Sequence, residues 1–123
     1  MPSNSEKVDK LIDHLWKNGF LTLSRKYGKY LPEPKPIGGY DVDAIAKYKK
    51  KIAIGIILTP DEINDPKLIS KLYFLAKKNS RFSNNKITLF LGVPAELEEK
   101  TRLIISTLEP DLKSQIKVVV INK

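Results

Sequence analysis

The sequence predicts one mixed α/β domain, with elements in the order α-β-β-β-α-β-α-β and helices on the faces of a single mixed sheet. Three observations predict it. Residues 52–58 form a nearly unbroken apolar run of strand length, which suits a central strand covered on both faces. Two stretches of helical apolar spacing, at 65–76 and 94–108, each lie between strand-like runs, and a strand–helix–strand crossover implies parallel pairing. Lys49, Lys50 and Lys51 join two strand-like runs by a turn too short for anything but an antiparallel hairpin.

Each element has its own warrant. Asn4 or Ser5 is the cap of a first helix, whose apolar stripe is Val8, Leu11, Ile12, Leu15 and Trp16. Asn18-Gly19 ends that helix, and residues 20–24 read as a short strand. Residues 25–39 hold Gly28, Pro32, Pro34, Pro36, Gly38 and Gly39, so a Pro/Gly-rich basic loop is expected there. Residues 40–48 read as the second strand, with Val42, Ala44 and Ala46 on one face and Asp41, Asp43 and Ile45 on the other. The third strand covers 51–59 and stops at Pro60. Asp65, followed by Pro66, caps a second helix with the stripe Leu68, Ile69, Leu72, Leu75 and Ala76. Residues 77–85 are polar and turn-rich, and 86–93 read as a fourth strand. Pro94 opens a third helix with Glu96, Glu98 and Glu99 in its first turn, where the helix dipole favours acids. Residues 116–121 form the last strand.

Composition narrows the function classes. A chain of 123 residues suits a single domain, 1–123, burying about two-thirds of its unfolded surface. There is no cysteine, which excludes disulfides and thiolate metal sites. His14 is the only histidine, and no Gly-x-Ser-x-Gly, Gly-x-Gly-x-x-Gly or Walker A pattern occurs. Residues 1–10 lack an apolar signal core and no apolar run has the length of a membrane span, so a cytoplasmic protein without a membrane partner is expected. The formal net charge is +8, from 22 Lys+Arg against 14 Asp+Glu. Such a surface attracts phosphate backbones without sequence readout, although dispersed lysines also serve plain solubility.

The run Gly39-Tyr40-Asp41-Val42-Asp43-Ala44-Ile45-Ala46, a hairpin, and the apolar run Lys51-Ile52-Ala53-Ile54-Gly55-Ile56-Ile57-Leu58 resemble the centre of the PD-(D/E)XK nuclease superfamily, which includes Holliday-junction resolvases and many restriction enzymes. The resemblance covers residues 5–93 and implies a restriction-endonuclease-like αβββαβ core, here with one further helix and strand appended. It implies that Asp43 is the first metal-binding aspartate, with Asp41, nearer the start of the strand, the lesser candidate. The same resemblance places an acid and a lysine near the end of the third strand, where this chain has Ile57 and Thr59. Hydrolysis in that family needs a divalent metal held by carboxylates, with a lysine beside the attacking water, and Asp43 alone is a poor magnesium site.

Three readings follow. The first is a catalytically degenerate nuclease-like domain that needs no cofactor and binds nucleic acid, DNA foremost, through Arg25, Lys26, Tyr27, Lys29, Tyr30 and Lys35. Basic side chains would contact phosphates and tyrosines would stack on bases or brace the loop. The second is an active magnesium-dependent endonuclease whose site has been rebuilt from Asp43 with Glu6, Asp9 or Asp13 of the first helix, or with Glu62. The ordinary fate of such a helical acid stripe is a solvated face. The third is a structural or assembly module, a homodimer formed through the last strand if that strand lies at the sheet edge.

Overall fold

The computed structural model describes residues 4–78 and 86–122. They form a mixed α/β fold around one five-stranded sheet. Helix α1 spans Asn4–Lys17, so Ser5 lies inside its first turn. Strands β1 (Leu21–Arg25), β2 (Ala44–Tyr48) and β3 (Lys51–Ile57) follow. Two short helices come next, α2 (Pro60–Ile63) and α3 (Leu68–Tyr73), and α3 continues into a π turn over Phe74–Lys78. Strand β4 (Lys86–Pro94) leads through a 3-10 turn, Ala95–Leu97, to α4 (Glu98–Ser106), α5 (Pro110–Lys113) and strand β5 (Ile116–Asn122).

The sheet order is β1-β2-β3-β4-β5, with β1–β2 and β2–β3 antiparallel and β3–β4 and β4–β5 parallel. The lysine turn is thus a hairpin, with Tyr48 opposite Lys51, and both crossovers yield parallel neighbours. Because both crossovers step the same way along the sheet, the right-handed rule puts both sets of helices on one face. That face buries Ile54, Ile56, Leu68, Leu72, Leu89, Leu91, Ile105 and Leu112. The opposite face is covered by α1, where Leu11 and Leu15 meet Ala44, Ala46, Ala53, Phe90 and Val119. Gly55 is what lets α1 lie this close: a Cβ there would stand 2.8 Å from Leu11 Cδ2. β3 is central and apolar as expected, while β5 occupies an edge and carries one charged side chain, the exposed Lys117, over residues 116–121.

Several expectations are corrected. Residues 40–43 are not part of β2; Tyr40 instead forms an isolated bridge with Ile37. The expected alternation fails there, because Val42 packs in the α3-side core while Ala44 and Ala46 pack under α1. Trp16 is 65% exposed and lies outside the α1 stripe, and Ile69 is exposed on α3. The short helix α2 occupies a stretch read only as a strand stop. Asp65 is not the cap of the second helix: α3 begins at Leu68 with Lys67 as its N-cap and no side-chain cap bond, and Asp65 accepts from the Lys67 amide at 2.9 Å in the turn before it. The expectation of a polar turn over 77–85 falls mostly outside the described residues.

Candidate functional site around Asp43

Asp43 stands one residue before β2 and still belongs to its hydrogen-bond ladder. Its carbonyl accepts from the Lys26 amide at 2.9 Å, and its amide donates to Gly55 O at 2.8 Å. The Leu58 amide donates to Gly92 O, so by strand alternation the Ile57 amide faces the β2 side. No backbone of β2 reaches that far. Asp43 Oδ2 fills the gap, accepting from Ile57 N at 2.7 Å. The other oxygen, Oδ1, lies 3.9 Å from Lys26 Nζ. Burial pushes the Asp43 carboxyl above the usual aspartate range, opposed by the Ile57 amide and the Lys26 and Lys71 charges and reinforced by the negative charge of Glu62.

A pocket of about 370 Å³ opens over this carboxylate, with Lys26, Tyr27, Tyr40, Asp41, Thr59, Glu62 and Lys71 in its wall. Glu62 comes from the first turn of α2, whose cap is Thr59: Thr59 Oγ1 accepts from Glu62 N at 3.2 Å. Thr59 Oγ1 also donates to Glu62 Oε1 at 3.3 Å, and Lys71 Nζ reaches Glu62 Oε2 at 3.5 Å. The sequence carried a signal for this, since Thr59-Pro60-Asp61-Glu62 has the S/T-x-x-E spacing of a capping box with proline at the first helical position. Ile57 and Thr59, at the positions where the resemblance places an acid and a lysine, have structural work: Ile57 packs against the α1-side core and Thr59 caps α2.

The pocket joins Asp43 to Glu62 but not to the acids of the first helix. Asp9 is bound by the Arg25 guanidinium and Asp13 pairs with Lys17 at 2.9 Å. Glu6 is exposed, and α1 contributes Asn4 and Val8 to the pocket wall instead. Among the described residues, no group of three or more His, Cys, Asp or Glu side chains is placed to hold a metal ion. His14 stacks edge-on against Phe90, at 5.8 Å between ring centres, and takes no part in the pocket.

The 25–39 loop splits into two halves of different character. Arg25 and Lys26 turn inward: Arg25 binds Asp9 and donates from Nε to Lys26 O, and Lys26 reaches toward Asp43. Lys29, Tyr30 and Lys35 turn outward and are exposed, as is Tyr27 at the pocket rim. The loop is braced by Arg25 N to Pro32 O at 2.9 Å and by the Ile37–Tyr40 bridge. Gly38, at φ +60°, lies so close to Phe74 that no Cβ would fit. Comparison with protein-family models, curated proteins and solved structures finds no significant match.

Proposed function

We propose that this chain is a nuclease-like domain of the PD-(D/E)XK type that has lost hydrolysis and binds nucleic acid through the outward half of its 25–39 loop. Support for the fold reading comes from the antiparallel β1–β2–β3 meander, the parallel β4 reached across helices, and α1 on the opposite face. The observation that carries the loss of hydrolysis is what stands beside Asp43: where an acid and a lysine would serve, Ile57 packs against the α1-side core and Thr59 caps α2. Magnesium takes oxygen ligands and usually more than one carboxylate; of the carboxylates here, Asp43 is engaged by the Ile57 amide and approached by Lys26, and Glu62 is engaged by Thr59 and Lys71. Charge points the same way. Three carboxylates, Asp41, Asp43 and Glu62, face two ammonium groups, Lys26 and Lys71, in the pocket wall. Phosphate contact therefore falls to the exposed lysines of the loop.

A rearranged endonuclease is the second reading, favoured by the convergence of Glu62 and Lys71 on the Asp43 pocket. One assay separates the two. Labelled single-stranded, duplex and branched DNA are incubated with the protein and magnesium or manganese, and both retention and cleavage are scored. Retention without cleavage above background is expected. Metal-dependent cleavage that is lost in Glu62→Gln and Lys71→Ala would replace the first reading with the second.

A further inference from the structure

The loop carries a feature that charge alone does not explain. Tyr30 is 96% exposed, so its ring packs against nothing and braces nothing. Tyr27 is 52% exposed and adopts φ +61°, a left-handed conformation that non-glycine residues rarely hold. The backbone that presents these rings is fixed on both sides, by Arg25 N to Pro32 O and by Lys26 N to Asp43 O. Pro32, Pro34 and Pro36 restrict the loop further. One bare ring, Tyr30, and one half-exposed ring, Tyr27, on a restrained loop with the exposed ammonium groups of Lys29 and Lys35 combine π faces with phosphate-seeking charge.

We propose that this loop is a stacking platform for single-stranded nucleic acid, with Tyr30 and Tyr27 receiving unpaired bases and Lys29 and Lys35 holding the adjoining phosphates. The inference rests on the nucleic-acid-binding reading above and adds the strandedness of the partner. Base faces inside a duplex are covered by their neighbours, so an exposed tyrosine gains a stacking contact only from unpaired bases. Phosphates are offered by either form. The aromatic residues therefore discriminate and the lysines do not.

The test is a binding titration at low salt with a mixed-sequence single strand, the same sequence as duplex, and inorganic polyphosphate as a charge-only probe. The parent is expected to prefer the single strand. Tyr30→Ala is expected to weaken single-strand binding by roughly five- to a hundredfold, the loss of one stacked base, and to leave duplex and polyphosphate binding unchanged. Tyr30→Phe should restore the preference, because the ring and not the hydroxyl does the stacking. Lys29→Ala with Lys35→Ala should weaken all three probes together. Tyr30 is almost wholly exposed, so its removal leaves the fold intact, which a thermal melt checks. Equal binding of single strand and duplex, unchanged by Tyr30→Ala, would overturn the platform and leave general nucleic-acid binding standing. No binding of any probe at low salt would overturn both.

Discussion

Asp43 does two things that pull in opposite directions. Its oxygen satisfies a part-buried amide at the pocket wall, and its charge is held where burial disfavours it. Two substitutions separate these effects. Asparagine keeps an oxygen for Ile57 N and removes the charge, whereas alanine removes both. Asp43→Ala is therefore expected to be less stable than Asp43→Asn by about 0.5–1.5 kcal/mol in denaturant unfolding, the net worth of one hydrogen bond to a part-buried amide. Equal stabilities would mean that the Ile57 bond contributes nothing. The pH dependence follows from the raised folded value. Folded Asp43 keeps its proton at pH values where the unfolded chain, near the usual 3.8, has lost it. The stability this contributes is fully present below 3.8 and is lost as pH rises through the folded value. Parent stability should accordingly fall relative to Asp43→Asn across that window, and parallel curves would contradict the assignment. At this scale the sequence was only half legible. Asp43 stood out as an acid among apolar neighbours, but its bond to Ile57 depends on β2 ending one residue short, which no periodicity reveals. The acid stripe Glu6, Asp9 and Asp13 was readable as a stripe, and the capture of Asp9 by Arg25 arises only from tertiary packing.

Among the elements, the hairpin between β2 and β3 shows how local rules were followed and bent. Its turn places Lys49 at φ +52°, where glycine or asparagine is the easier occupant. The ammonium group lies 5.4 Å from the centre of the Tyr48 ring, a cation–π distance that offsets part of the strain. Lys49→Gly is expected to change stability by no more than about 1 kcal/mol in either direction, because relief of the left-handed backbone opposes the lost ring contact and the added freedom of the unfolded chain. A loss above 2 kcal/mol would show that the Lys49 side chain does more than its ring contact accounts for. The parallel pairing at the two crossovers and the antiparallel β2–β3 hairpin followed from three signals, an apolar central run, two crossovers and one short turn, whereas the pairing of β1 with β2 and the order of strands across the sheet did not. Element ends were less legible. Strand-like composition at 40–43 gave way to a loop conformation because the chain there turns back through the Ile37–Tyr40 bridge onto Phe74. The helix α2 was legible in principle from its capping spacing, and it matters because it delivers Glu62 to the pocket.

For the whole molecule, the question is where a net charge of +8 acts. Charge spread over every face would be solubilising and nothing more. Exposed lysines also lie on the β2–β3 hairpin, at Lys47, Lys49, Lys50 and Lys51, and at Lys113 and Lys117, so what sets the 25–39 loop apart is not charge alone but Lys29 and Lys35 on a braced loop beside two exposed tyrosines. The edge position of β5 supplies what a strand-paired homodimer requires, and sedimentation at the concentrations used for binding distinguishes that assembly from a monomer. Nucleic-acid binding through phosphate contacts of the outward half of the loop is the proposed role of the molecule. Its most direct test is the affinity for a single oligonucleotide measured against salt concentration, for the parent and for Lys29→Ala with Lys35→Ala. Neutralised phosphates release counterions, so parent affinity should fall steeply with salt from a dissociation constant of about 10⁻⁴ to 10⁻⁶ M at physiological salt. The double variant should bind more weakly and flatten the slope by up to about two units, one for each lost contact. A double variant with the parent's affinity and slope, or a parent that does not bind at low salt, would contradict the account.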